Sequence, residues 1–415
     1  MFLKALLATP AVVGQCGGRS AMIMQQFITQ NSPKCVLGSG VRFLYSSEAL
    51  GIDNYANARE KTALQFQDLR EKFYQKMVEF SDPASHNMVF TEDLKHILHL
   101  AENNETDLKL VRQMLTKFNS QNKELRFGNY IFGPVVMRLY HHLNQPDEAL
   151  ELFLHEDFKF FFTQNNSYHL LLDLLFKNEK YEDVLKVFDI IETRQSQGSR
   201  YPRSAIILYL AALYKLNTPE AFERAVSLYK KLNAAGVGHI RRAVSLAAGL
   251  AANQGRYNEV IEFLALLPGQ GTYVTVRNLK LLAMNGVGRH DDVLTLLQGF
   301  LVVDMPEIKL KNVKQTVFKD VMDRIVSDFE SLDNVELKAN FSKLHAQLKE
   351  FNHVSSSTLG ELLLSEIKEV KPREEGTFTR SRYNADASRD PSRGRSYNDR
   401  RPTPQLKRPG LNDLS

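Results

Sequence analysis

Tyr168-His169-Leu170-Leu171-Leu172-Asp173-Leu174-Leu175-Phe176-Lys177, followed by Tyr181-Glu182-Asp183-Val184-Leu185-Lys186-Val187-Phe188, decides how this chain is read. Both stretches are rich in leucine and aromatic residues. The polar turn Asn178-Glu179-Lys180 separates them, and an acidic pair leads the second, where the positive end of a helix dipole favours negative charge. The reading is a helical hairpin.

The same grammar recurs along the chain. The residue closing each second helix falls at Phe153, Phe188, Tyr229, Leu264 and Leu297, in steps of 35, 41, 35 and 33 residues. Polar turns stand at Leu143-Asn144-Gln145-Pro146, Asn253-Gln254-Gly255-Arg256 and Gly286-Val287-Gly288-Arg289, each before an acid-led apolar run, and Asn217-Thr218-Pro219-Glu220 lengthens the turn of the third unit. A period of this size is the mark of stacked helix pairs that bury one another's apolar faces. The array needs caps with a polar outer face. Before it, Phe66, Leu69, Phe73, Met77 and Phe80 recur at helical spacing, and Thr91 to Ala101 with Asp107 to Phe118 read as a degenerate hairpin. After it, Val317, Val321, Ile325 and Phe329 mark one helix and Leu337, Phe341, Leu344, Leu348 and Phe351 another. That last stripe lasts barely two heptads, which suits a packed cap rather than a coiled coil.

These units, clearest in the hairpin beginning at Tyr168, resemble the pentatricopeptide repeat family, over about residues 121 to 300. The resemblance implies an all-α, right-handed superhelical solenoid of antiparallel helix pairs with helical caps and disordered ends. The expected layout is a presequence over 1–47, an N-terminal cap with a degenerate repeat over 48–120, and the array over 121–305. A C-terminal cap follows over 306–353, then a mostly disordered Arg/Ser/Tyr-rich tail over 354–415. Proteins of this kind read single-stranded RNA about one base per repeat, through side chains on the groove-lining first helix. In this register the family's fifth positions fall on Val135, Leu170, Leu208 and Leu246, none of them Thr, Ser or Asn. The last positions fall on Asn165, Arg203 and Arg241, of which only Asn165 fits the usual pattern. No target base can be named from this register, and His169 and Asn278, beside fifth positions, are weaker candidates.

The formal net charge of +5 is unevenly placed. Residues 194 to 289 carry 13 Lys+Arg against four acids, which is where a polyanion finds its main electrostatic footprint. Candidate RNA contacts are Asn165, Arg203, Lys230, Lys231, Arg241, Arg242, Arg277 and Lys280. The competing explanation is a solvated surface, since a count does not place charges on one face. The tail from Lys371 holds 11 Lys+Arg against six acids with almost no aliphatic residue, so it suits either weak sequence-blind RNA contact or mere solubility.

No acid precedes Glu48, while Lys4, Arg19, Lys34 and Arg42 are spread among polar and apolar residues, the composition of a mitochondrial presequence. Arg42-Phe43-Leu44-Tyr45-Ser46-Ser47 resembles an arginine-led processing site, and removal of about the first 45 to 51 residues is expected. The alternative is a secretory signal over Ala5 to Val13. Pro10 interrupts that run, and Cys16 and Cys35 are the only cysteines, which disfavours a disulfide-stabilised secreted fold. No apolar run approaches the ~18 residues that span a bilayer, so a matrix protein without membrane insertion is expected.

A mature chain without cysteine lacks a thiol nucleophile and a zinc knuckle. His96 with His99, and His141-His142, are the only close histidine pairs, and neither has the carboxylate pattern of a metal site. No enzyme activity, cofactor or metal is expected. The resemblance implies an RNA-binding protein that aids maturation, processing or stability of mitochondrial transcripts and, through them, respiratory-chain function, with RNA-processing enzymes or the mitochondrial ribosome as further partners. The alternative is a tetratricopeptide-like protein scaffold, an assembly or ribosome-associated factor in the matrix. The apolar fifth positions favour that alternative, and the basic block favours RNA.

Overall fold

In the repeat turns, one residue in each unit takes the left-handed backbone conformation: Asn144 (φ 53°), Glu179 (φ 59°), Asn217 (φ 50°), Gly255 (φ 70°) and Gly288 (φ 81°). In four of the five units the next amide then donates back into the first helix: Gln145 to Tyr140 (2.9 Å), Lys180 to Leu175 (3.0 Å), Arg256 to Ala251 (2.9 Å) and Arg289 to Met284 (2.9 Å). These bonds satisfy carbonyls that a helix end otherwise leaves open. Four of the turn residues are Gly or Asn, which tolerate positive φ, and Glu179 is the strained exception.

The computed structural model describes residues 44–82, 84–125, 130–194, 200–269, 271–301 and 316–367. The protein is an all-α solenoid. Five hairpins form the array: α6 (Gly133–Leu143) with α7 (Pro146–Leu154), α8 (Asn165–Lys177) with α9 (Tyr181–Arg194), α10 (Arg203–Leu216) with α11 (Pro219–Ala234), α12 (Arg241–Asn253) with α13 (Tyr257–Ala265), and α14 (Val274–Gly286) with α15 (His290–Leu301). First helices stack on first helices. Aromatic rings pin the layers: Tyr168 meets Phe153 edge-on at 6.0 Å, and Phe188 stacks on Tyr209 at 4.2 Å. Polar side chains tie neighbouring turns, with Lys180 on Asp147 (2.6 Å) and Asn144 paired to Asn178 (3.2 Å).

Before the array come α1 (Ser47–Leu50), α2 (Ile52–Gln65), α3 (Arg70–Ser81) and the hairpin α4 (Thr91–Leu100) and α5 (Glu105–Leu125). The stripe from Phe66 to Phe80 is therefore not one helix. A turn after Gln65 divides it, Leu69 is an exposed N-cap, and α2, which no apolar periodicity announced, packs on α4 and α6. At the other end β1 (Val317–Phe318) precedes α16 (Lys319–Ser331), then come α17 (Val335–Glu350), β2 (Val354–Ser355) and α18 (Leu359–Leu363). Val317 thus lies in a strand, paired in parallel with Val354. Phe351 is an exposed C-cap.

The first and last described segments pair with each other. Leu44 and Tyr45 are buried, and the Ile367 amide donates to the Leu44 carbonyl (2.8 Å) while Ser46 donates to Ile367 (3.3 Å). Residues 354–367 are therefore packed, beyond the expected cap boundary at 353, because Leu359, Leu363 and Leu364 are buried against the array. Residues 44–47, expected within the presequence, are packed as well. A cut at 45 to 51 would remove Leu44, so that expectation does not fit this packing. Residues 1–43 and the tail from 368 lie outside the described residues.

Candidate nucleic-acid interface

The groove face of the first helices is where the family's base-reading positions fall, and in this chain it is closed. Helices α8, α10 and α12 are buried on almost every side, and Leu170, Leu208 and Leu246 expose 2%, 0% and 0% of their surface, with Val135 half-buried. A helix that is apolar all round must be covered all round. The first and last described segments contribute to the cover. Coming from the N-terminus, α1 packs on α8, and the Leu50 carbonyl accepts from Arg138 Nε (3.1 Å). The Tyr45 ring stands edge-on to His169, with centroids 4.1 Å apart. From the C-terminus α18 packs on α12 and α14. Gly249 of α12 leaves room for it, since a Cβ there would lie 2.7 Å from Leu363 Cδ1. Asp320 holds the start of α18 by accepting from the Leu359 amide (3.0 Å).

Polar groups are trapped under this strap. His141 Nε2 and Asp173 Oδ2 lie 3.0 Å apart, both buried. Burial pushes the His169 imidazole down to about 4, with Asp173 partly opposing the fall. His169 adjoins a fifth position, but its ring faces Tyr45 and is closed to RNA. Asn278 is buried too. It donates to the carbonyls of Val274 (2.8 Å) and Thr316 (2.9 Å) and accepts from the Phe318 amide (3.0 Å), so it anchors the C-terminal cap.

The edge where first helices begin has a different character. None of α6, α8, α10, α12 and α14 has an acid in its first turn, and none receives a side-chain cap bond from its N-cap residue. Every second helix does carry an acid there: Asp147 and Glu148, Glu182 and Asp183, Glu220, Glu259, Asp291 and Asp292. The edge where first helices begin therefore carries their uncapped N-termini beside the C-termini of the second helices, while at the opposite edge acids neutralise the second-helix starts. Arginine adds to the first edge, with Arg203 opening α10 and Arg241 opening α12.

The sequence-derived candidates divide accordingly. Arg203, Lys230 and Lys280 are exposed and have no ion-pair partner among the described residues. Arg241 lies over the Tyr273 ring at 3.4 Å, half-buried on the same edge. Lys231 is exposed but pairs with Glu192 (2.9 Å), which Arg200 (3.3 Å) and Tyr201 (2.9 Å) also approach. Burial pushes the Glu192 carboxyl up, yet bonds from Lys231 and Tyr201, with Arg200 near, hold it below its ordinary value. Asn165 opens α8 with its side-chain oxygen buried and lacking a hydrogen-bond partner among the described residues. Two candidates are spoken for within the protein. Arg242 donates to the Ser365 carbonyl and to its hydroxyl (3.2 Å), binding the strap, and Arg277 donates to the Gly299 carbonyl (3.0 Å) over the Phe300 ring (3.8 Å). Elsewhere in the basic block, Arg224 faces Asp189 (3.8 Å) and Arg256 faces Glu223 (3.3 Å). The surplus is real, but Arg224, Lys231 and Arg256 are engaged between repeats, and Arg242 and Arg277 are engaged with the C-terminal segment and within the fifth hairpin.

Sequence reasoning missed the aromatic residues of this edge. Tyr130, Phe160 and Tyr273, in the loops that lead into α6, α8 and α14, expose 42%, 83% and 47% of their surface. Loop position alone did not mark them, since Phe158 and Phe162 in the same loop as Phe160 are buried in the core. Among the described residues no group of three His, Cys, Asp or Glu could hold a metal ion, and no helix is long and apolar enough to cross a membrane.

No family model matches the chain. Curated relatives do. Pentatricopeptide repeat-containing protein 2, mitochondrial, of Xenopus laevis is 25% identical over 357 residues, covering 86% of this chain and 89% of that protein. The protein of the same name from Mus musculus is 25% identical over 330 residues (80% and 83%), and that from Homo sapiens 26% identical over 234 residues (56% and 58%).

Proposed function

We propose, from this similarity and from the edge just described, that the chain is a non-enzymatic RNA-binding protein of the mitochondrial matrix. It holds single-stranded mitochondrial RNA and aids transcript maturation, processing or stability. The relatives' names place them in mitochondria, in keeping with the acid-free start of this sequence. The observation that carries the reading is the row of uncapped first helices with Arg203 and Arg241 at their starts. Backbone amides at a helix N-terminus, with cationic side chains beside them, accept phosphate oxygens. A row of such ends at repeat spacing suits an extended polyanion. Held there, RNA is kept single-stranded and can be shielded from nucleases or presented to a separate processing enzyme or to the ribosome.

The protein-scaffold alternative drew its support from apolar groove positions. Leu170, Leu208 and Leu246 are already covered, so a peptide has no free groove there. Binding of a labelled single-stranded RNA, compared with a duplex of the same sequence over a salt series, tests the proposal. The expected result is preference for the single strand and a steep fall of affinity with salt. Equal, salt-insensitive binding, or none, refutes it.

A further inference from the structure

Because the groove is closed, an RNA bound to this protein needs another way to present its bases. Phe160 supplies one. It stands in the loop between α7 and α8 and projects between two clefts, one of about 510 Å³ bordered also by Tyr130, Asn119 and Gln164, the other of about 600 Å³ bordered by Lys159, Thr163, Thr193 and Arg194. Its ring is 83% exposed, whereas its neighbours Phe158 and Phe162 are buried at 1% and 0%. A phenylalanine so exposed beside buried ones is not part of the core. Leu154 and Ile131 are also exposed nearby, so the surface is apolar at its centre.

The charges around the ring choose between occupants. Lys159 and Arg194 line the second cleft; Lys159 is exposed, whereas Arg194 rests over the Phe153 ring at 4.5 Å, donates to the Phe153 carbonyl (3.5 Å) and keeps its other terminal nitrogen buried. The first cleft carries Glu156 and Asp157, and Glu156 reaches the second as well. An apolar π-face with the exposed Lys159 beside it suits a nucleobase whose phosphate lies toward Lys159 and away from Glu156 and Asp157. Asn119 and Gln164 border the first cleft but are engaged within the protein, Asn119 donating to the Asp157 carbonyl (2.7 Å) and Gln164 donating to Thr163 (3.2 Å) and accepting from Ser167 (3.3 Å), so the ring face rather than amide reading is the contact offered. The arrangement recurs further along the same edge. Arg241 covers one face of Tyr273 at 3.4 Å, and the ring remains 47% exposed.

We propose that single-stranded RNA runs along the edge formed by the loops preceding the first helices, with its bases stacked on Phe160 and Tyr273 and with Tyr130 as a further platform, rather than through the groove. The proposal rests on the RNA-binding reading and deepens it. Base stacking on an aromatic face is tolerant of sequence, so the edge gives affinity and register with little base choice.

The test uses the mature full chain and a single-stranded RNA long enough to span the array. Phe160→Ala, Phe160→Leu, Phe160→Trp and Tyr273→Ala are titrated at several salt concentrations. The ring of Phe160 lies outside the core, and circular dichroism with thermal melting verifies that each variant is folded. Phe160→Ala, Phe160→Leu and Tyr273→Ala should each weaken binding about tenfold, with Phe160→Trp near wild type and the salt slope unchanged, because a stacked base releases no counterions. Wild-type affinity in Phe160→Ala and Tyr273→Ala, with binding still sensitive to charge reversal at Arg203 and Arg241, overturns the stacking path and leaves the RNA reading standing. Full retention in Phe160→Leu shows a merely apolar contact and also overturns it. Absence of RNA binding by the wild type removes both.

Discussion

Protonation of His169 measures the closure of the groove. The imidazole is held down at about 4 by burial, against an ordinary value of 6.5. A histidine whose pKa is lower in the folded state binds fewer protons than its unfolded counterpart between those values, so folding stability falls as pH drops through 6.5 and the loss saturates below about 4. From pH 7 to pH 5 this single group should remove about 2 kcal/mol, out of about 3 kcal/mol for the full shift. Histidine-selective NMR should find one resonance titrating far below the others. Urea melts of wild type and His169→Gln at the two pH values give the energy as a difference of differences, which cancels every other titrating group. Tyr45→Ala opens the cover and should move the midpoint up toward 6.5 with a matching reduction of the acid loss. A His169 midpoint near 6.5 in the wild type would refute the closed groove.

Glu179→Gly should stabilise the protein by about 0.5–1 kcal/mol, because it relieves a left-handed residue whose side chain makes no hydrogen bond or ion pair among the described residues, whereas Gly255→Ala at the equivalent turn should cost about 1 kcal/mol; chemical denaturation reads both. Terminal sequencing of the imported protein should find a mature N-terminus no later than Leu44, since Leu44 and Tyr45 are packed and pair with Ile367; a start at 46 or beyond would contradict that packing. The double variant Arg203→Glu with Arg241→Glu should weaken RNA binding and reduce the log-log salt slope by at least ~1.4, about 0.7 per lost phosphate contact. Removal of residues 371–415 should weaken binding without changing the transcript chosen.

The hairpins were legible because their signals are local. Leu170 to Phe176 carries an apolar helix, Asn178 to Lys180 breaks it, and Glu182 with Asp183 starts the next. What the sequence concealed is long-range. Tyr45 and Ile367 meet across the whole array, and segments of a few residues have no periodicity to announce them. Two signals were nonetheless present. Thr358 and Glu361 form a capping box, with Thr358 accepting from the Glu361 amide (3.2 Å), immediately before the apolar run Leu359 to Leu364, a helix start inside what composition assigned to the tail. The leucines at the fifth positions departed from the family's code for a physical reason, since a surface that is covered by protein must be apolar. Charge counting found the basic block but not its geometry. Arg242 and Arg277 turned inward because their neighbours Ser365 and Gly299 offer carbonyls, which no count reveals.

Whether the array binds single-stranded RNA along its first-helix edge is decided by ultraviolet crosslinking in mitochondria, with the crosslinked peptides identified by mass spectrometry. Mitochondrial RNA attached at peptides containing Phe160, Arg203, Arg241 or Tyr273 is the expected result. No crosslinked RNA, or attachment at the covered leucines Leu170, Leu208 and Leu246 instead, would contradict it.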